Sequence, residues 1–158
     1  MRTALPLALI AIACGAPTAP AETAVYLGQL QPLLQENGLL AERMLEAAAQ
    51  VHNGRSSPSA AGMTWEREIV PIARHLHDQA LRVDAPGSWA ADHDRLGQIW
   101  GARADGYAEI AQGIREGERG AWQRGRALAD QAKLDEEAWF TEAQKRLMPH
   151  EISLDQYP

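Results

Sequence analysis

After Cys14 the chain has no cysteine at all. No disulfide can therefore hold its fold, and no thiol nucleophile is available in the body of the protein. No apolar run reaches the roughly 20 residues that a permanent membrane-spanning helix needs. The basic residues are scattered and almost all are arginine, with no basic stripe interleaved with aromatics, which excludes a nucleic-acid interface of the usual kind. A cationic amphipathic surface helix is missing too. So are the signatures of the common catalytic sites: there is no G-x-S-x-G elbow, no Gly-rich phosphate loop and no H-E-x-x-H. Stability must come from packing alone. With 21 acidic against 15 basic residues the net charge is -6, a balance that favours solubility and says little of partners.

What is present starts at the N-terminus. Met1-Arg2-Thr3 supplies a positive start, residues 4–13 a short apolar middle, and small residues the end, which is how a secretory signal reads. Two processing outcomes compete. Ala11-Ile12-Ala13-Cys14 resembles the lipobox of bacterial lipoproteins, with Ala11 at the position usually held by leucine. The resemblance implies that Cys14 is acylated and becomes the new N-terminus, followed by a Pro-rich tether, Ala16-Pro17-Thr18-Ala19-Pro20-Ala21. In the other outcome Ala19-Pro20-Ala21 is an A-x-A cleavage site and Glu22 starts the mature chain. The lipobox reading is preferred because the single cysteine falls where the apolar run stops. The organisation expected is a signal peptide at 1–13 (or cleavage after 21), a flexible tether at 14–23, a helical domain at 24–148 and an extended tail at 149–158. The location expected is the periplasmic face of a bacterial membrane, lipid-anchored, with soluble periplasmic or secreted protein as the alternative. Gly15 and Ala16 place no aspartate beside the lipid site, which favours an outer membrane.

Helical periodicity dominates thereafter. Leu30, Leu34, Ala41, Met44, Ala48 and Val51 predict a first helix over 24–52, with Asn37 on the same seam and a kink or a late start at Pro32. Asn53-Gly54 ends it, and 55–61 reads as a Ser/Pro-rich connection. Thr64 is the expected cap of a second helix, with Glu66 and Glu68 in its first turn, a stripe of Trp65, Ile69, Ile72, Leu76, Ala80 and Val83, and a bend at Pro71. Ser88 is expected to cap a third helix whose seam is the most regular in the chain: Trp89, His93, Leu96, Trp100, Arg103, Tyr107, Ile110 and Ile114. Steps of four and three throughout predict a helix packed nearly antiparallel on long neighbours. Gly117 and Gly120 break it. The fourth helix runs over 121–147 with Trp122, Ala129, Ala132, Trp139, Ala143 and Leu147 inward, and Pro149 stops it. The fold class predicted is all-α, an antiparallel up-down-up-down four-helix bundle preceded by the signal and tether. Five tryptophans fill a core otherwise rich in alanine.

Chemistry is sought first among the histidines. His75 and His77 are two apart on a helix and point about 200° from each other, so they cannot share an ion. His52, at a helix end, suits the dipole. No metal site and no cofactor is assigned. Glu136-Glu137 and Glu66 with Glu68 read as solvated surface, and no catalytic residue is assigned. His93 and Arg103 stand out because they occupy the apolar seam. Folding the last two helices into a hairpin about Gly117 places Arg103 near Asp130 and Asp135, and His93 near Trp139 and Glu142. One outcome is a buried ion pair that fixes helix register. The other is a small polar pocket rimmed by Trp89, Trp100 and Tyr107 that holds an anion or small ligand.

The last two helices, joined through Glu116-Gly117-Glu118, resemble in their periodicity the periplasmic cytochrome b bundle family. That family binds haem through a methionine in its first helix and a histidine late in its last. Here the late positions are Trp139 and Phe140, the first helix has only Met44, and no Cys-x-x-Cys-His is present. Haem is not expected. The function expected is therefore a binding or structural module of the bacterial envelope, held to the membrane by its lipid and with an envelope protein as candidate partner. A bundle binding a small ligand or metal near His93 and Arg103 is the alternative, and an enzyme of unassigned class comes third.

Overall fold

The computed structural model describes residues 21–154. Among them every regular element is helical and there is no strand. The helices are α1 (Ala21–His52), α2 (Pro58–Thr64), α3 (Val70–Ala80), α4 (Ala90–Glu116) and α5 (Arg119–Leu147). A π-helical turn (Trp65–Ile69) joins α2 to α3 without a break, so the described residues make four helical rods, followed by a 3-10 turn (Met148–His150). The expected signal, Cys14 and most of the tether lie outside the described residues, as do 155–158.

Several boundaries differ from expectation for local reasons. Residues 21–23, assigned to the tether, already belong to α1, and Thr23 is buried. Pro32 lies inside α1, which runs through it as one helix. The Ser/Pro connection ends early because Ser57 is itself a cap: its Oγ accepts the Ala60 N–H at 3.2 Å, and Pro58 takes the first helical position, where a missing N–H costs nothing. Thr64 is thus inside the rod, its hydroxyl donating to the Ala60 carbonyl at 3.2 Å. The disturbance expected at Pro71 appears one turn earlier. A proline ring crowds the carbonyl four residues back, here that of Arg67, and supplies no N–H. The wide turn absorbs this, with the Val70 N–H reaching the Trp65 carbonyl. Ser88 does not cap α4: Trp89 holds that position with no side-chain bond to the helix. Gly117, at φ +70°, ends α4 in the left-handed conformation that favours glycine, whereas Gly120 lies within α5.

Pairs of residues fix the directions of the rods. Asp92 meets Arg146 and Arg95 meets Glu142, so α4 and α5 run antiparallel. Trp65 packs on Tyr107, while His93 bonds the Ala80 carbonyl, so the α2–α3 rod also runs against α4. α1 runs with α4: Thr23 bonds Trp89 and Asn37 bonds Arg103. The α4–α5 approach is the tightest because both helices carry glycine there. A Cβ on Gly106 would lie 2.8 Å from the Gly125 carbonyl oxygen, and one on Gly125 would lie 2.6 Å from the Ile110 nitrogen.

Trp89, Trp100 and Trp139 are fully buried, together with Tyr26, Leu30, Leu76, Leu96 and Leu147. Trp65 and Trp122 are half-buried at the edge of this core. The α4 seam buries every expected position through Ile110, with Ile114 half-buried. In α1 the seam shifts in its second half. Leu40 and Ala47 are inward while Ala41 and Ala48 are exposed. α1 also contacts α2, a helix where the sequence reads as connection. After the 3-10 turn the chain folds back: Gln144 donates Nε2–H to the Ile152 carbonyl at 3.0 Å and accepts the Leu154 N–H at 2.7 Å, and Leu154 is buried.

A buried polar seam as candidate functional site

Two polar clusters interrupt the apolar seam of α4. The first centres on Arg103, 7 % exposed. Its Nη1 donates to Glu136 Oε2 of α5 at 2.8 Å and its Nη2 to Asn37 Oδ1 of α1 at 2.5 Å. The remaining oxygen of Glu136, Oε1, accepts from Trp100 Nε1 at 2.6 Å and from Asn37 Nδ2 at 3.2 Å. The carboxylate spends both oxygens on its neighbours, and its charge cancels that of the guanidinium. Such closure is what a buried pair needs to offset the loss of water around both ions. The Arg103 Nε–H alone has no partner among the described residues. The guanidinium also lies 5.8 Å from the centre of the Trp100 ring. Tyr107, one turn further on, is stacked edge-on against Trp65. Burial pushes its phenol pKa up, while the nearby Arg103 charge draws it down and Glu136 adds to the rise.

The second cluster centres on His93, 8 % exposed. Its Nε2 lies 2.9 Å from the Ala80 carbonyl and its Nδ1 lies 3.2 Å from the Tyr26 hydroxyl. A carbonyl only accepts, so Nε2 carries the proton. In the neutral ring Nδ1 is then an acceptor, and Tyr26 donates to it. The Tyr26 ring stands edge-on to His93 and tilted against Trp89, each 5.6 Å away between centres. Trp89 Nε1 donates to Thr23 Oγ1 at 3.3 Å. Arg146 covers the outer face of Trp89, its guanidinium 4.3 Å from the ring centre. It is held there by Asp92 Oδ2 at 2.6 Å and by the Ser88 carbonyl. Burial raises the Tyr26 pKa strongly; the Asp92 charge adds to this and Arg146 offsets it in part.

His93 and Arg103 do not form one site. Ten residues of helix separate them, about 15 Å at the rise of an α-helix. Trp89 belongs with His93, while Trp100 and Tyr107 belong with Arg103. The expected partners are also corrected. Arg103 pairs with Glu136 rather than Asp130 or Asp135, and His93 pairs with Tyr26 and a backbone carbonyl rather than Glu142, which binds Arg95 at 2.6 Å. The backbone follows the hairpin register expected: Gly106 lies against Gly125 and Ala129, as folding about Gly117 requires. Side chains, however, lean toward the N-terminus of their own helix. In an antiparallel pair these leans are opposed in space and converge, so a long side chain on α4 meets one that starts further along α5. The sequence reads Glu136 as surface, yet it follows Ala132 by four residues and precedes Trp139 by three, so the inward stripe of α5 includes it. Tyr26, four residues before Leu30, was legible in the same way.

No acid, base or nucleophile is left uncommitted in either cluster. Among the described residues no group of three His, Cys, Asp or Glu side chains could hold a metal ion. His75 is exposed, and His77 faces Gly101 with Asp78 at 3.8 Å. His93 does form one wall of a shallow cleft of about 200 Å³ beside the end of α3, with Leu81, Val83, Ala85, Ala90 and Asp94. A second cleft, of about 360 Å³, lies between α4 and α5 over Ile99, Ala102 and Leu128, and none of the seam residues lines it. Searches against protein-family models, curated proteins and solved structures found no match to this chain.

Proposed function

We propose that this chain is an exported, lipid-anchored four-helix bundle, up-down-up-down in topology, that serves as a binding or structural module of the bacterial cell envelope. The reading of export rests on Arg2, the apolar residues 4–13 and the Ala11-Ile12-Ala13-Cys14 sequence. The observation that carries the non-catalytic reading is the closed interior. Apart from the Arg103 Nε–H, the polar groups of Arg103, Glu136, Asn37 and Trp100 satisfy one another, and His93 is taken up by Tyr26 and Ala80. Side chains committed in this way set the register of helices and offer little to a substrate. No helix among the described residues is long and apolar enough to cross a membrane, so attachment would fall to the lipid.

A second reading keeps some support from the cleft beside His93. Its size is below the roughly 300–1,000 Å³ usual for small-molecule sites, so it would suit only a very small ligand. The anchoring test is fractionation of a bacterial host expressing the full chain. Wild type is expected in the membrane fraction, released by detergent, and Cys14→Ser in a soluble fraction. A native protein that begins at Glu22 and is soluble in the periplasm would replace lipidation with simple secretion.

A further inference from the structure

The chain has two asparagines, Asn37 and Asn53, and each is followed by glycine. An asparagine before glycine is unusually open to attack by its own backbone, because no side chain shields the following nitrogen. The two start with the same local chemistry, and the fold gives them opposite surroundings. Asn37 lies in the middle of α1. There the Gly38 N–H belongs to the helical ladder, which directs it along the axis to the carbonyl four residues back. The Asn37 amide is held at both ends as well: Oδ1 accepts from Arg103 at 2.5 Å and Nδ2 donates to Glu136 at 3.2 Å. A guanidinium only donates and a carboxylate only accepts, so this amide cannot turn over. Asn53 follows the last residue of α1, and both it and Gly54 are exposed. Its side chain has no hydrogen bond among the described residues. A Cβ on Gly54 would meet nothing within 4 Å. The Gly54 N–H bonds the Val51 carbonyl at 3.0 Å, in an exposed final turn of the kind that opens most readily.

We infer that Asn53 is a deamidation site of the folded protein, and that α1 and the Arg103–Glu136 cluster spare Asn37. The Gly54 nitrogen gives its proton to solvent base and attacks Asn53 Cγ. A bond forms between that nitrogen and Cγ, the bond from Cγ to Nδ2 breaks, and ammonia leaves. Water then opens the five-membered imide at either carbonyl, leaving aspartate or its β-linked isomer. The net change is one water taken up and one ammonia released, with nothing oxidised or reduced. The product carries a carboxylate at the C-terminal end of α1, where the helix dipole disfavours it. The β-linked form also adds a methylene to the backbone just before Arg55 and Ser56, whose N–H groups both bond the Gln50 carbonyl. The join between α1 and α2 is the part of the fold that alters. At Asn37 the same conversion would replace a donor to Glu136 by a second carboxylate, leaving one arginine to face two acids.

Peptide mapping by mass spectrometry tests this on the purified protein held in mildly alkaline buffer, folded or unfolded in urea. In the folded protein Asn53 is expected to convert about tenfold or more faster than Asn37, which reacts only when α1 opens. In urea the two should convert at similar rates, since both precede glycine. Asn53→Gln, a change at an exposed position, should abolish the fast conversion in the folded protein, because a glutamine would have to close a larger ring. The assignment of Asn53 is overturned if the folded protein keeps it unchanged while urea lets it convert, or if the fast conversion survives Asn53→Gln. Protection of Asn37 by the fold is overturned if Asn37 keeps pace with Asn53 in the folded protein, or if the gap between the two persists in urea.

Discussion

Removing the charge of Arg103 tests whether the first cluster is a closed ion pair. The two side chains are 8 % and 12 % exposed, so neither charge is screened by bulk water. In Arg103→Met the Glu136 carboxylate keeps Trp100 and Asn37 as donors but loses its only counter-charge, and Asn37 Oδ1 loses its donor. Stranding one member of a buried pair costs about 3–5 kcal/mol. Adding Glu136→Gln repairs most of this. A glutamine oxygen can still accept from Trp100, and its amide can donate to Asn37 Oδ1 in place of the guanidinium, so no charge and few donors remain unpaired. The double variant should lie within about 1–2 kcal/mol of wild type, the residue being lost packing and imperfect hydrogen bonds. Urea unfolding followed by tryptophan fluorescence measures both, and an unchanged slope would show that the unfolded states are comparable. A double variant no more stable than Arg103→Met would mean that Glu136 is not the partner that matters, and that the cluster is open to solvent or to a ligand.

The α4–α5 contact and the tyrosines allow two more measurements. A Cβ on Gly113 would strike the backbone of Trp122 and lie 2.9 Å from the Glu118 carbonyl oxygen, whereas one on Gly97 would meet only Leu81 Cδ2 at 3.5 Å. Gly113→Ala should therefore destabilise by about 1–3 kcal/mol through forced separation of the helices, and Gly97→Ala should stabilise by about 0.5–1 kcal/mol through helix propensity, both read from urea midpoints. Equal effects at the two sites would contradict the close approach. Tyr26 and Tyr107 both have raised pKa values, mainly through burial. The folded state then keeps protons that the unfolded chain gives up above about pH 10, so stability is intact below that pH and falls as pH rises beyond it. Ultraviolet absorbance should show these two phenols ionising only with unfolding, and Tyr26→Phe should flatten the alkaline loss; ionisation of both in the folded protein would refute the assignment.

The all-helical fold was legible because α4 carries a heptad-like seam from Trp89 to Ile110 with no interruption, and periodicity of that length leaves no room for strands. The candidate site was legible in part, for the same reason. A histidine and an arginine on an otherwise apolar stripe must be buried, and both are. Their partners were not legible. Glu136 lies beside Glu137, and two adjacent carboxylates look alike in sequence although only one points inward. The Ala80 carbonyl cannot be read at all, since a backbone acceptor has no sequence signal. α2 was missed because Ser57 and Pro58 signal both a loop and a helix start, and only the bond from Ala60 N–H to Ser57 Oγ separates the two.

The polar side chains of α1 share a property that the apolar ones lack. Thr23 meets Trp89, Tyr26 meets His93 and Asn37 meets Arg103, at sequence separations of 66, 67 and 66 residues. A separation that varies by only one residue means that the two helices run in step over the whole interval. Apolar contact alone would tolerate a slip of α1 by one turn, because Leu27, Leu30 and Leu34 would exchange places along the same stripe with little loss. Three directional bonds would not. The same slip would break all of them at once, stranding the Trp89 N–H, the Tyr26 hydroxyl and the Asn37 amide in the core, at about 1–3 kcal/mol for each group left unpaired. α4 and α5 carry both devices, the Glu136 bonds to Trp100 and Arg103 and the close backbone approach at Gly106, Gly113 and Gly125. In α1, where a Cβ on Gly28 would meet nothing within 4 Å, the polar side chains set the register against α4.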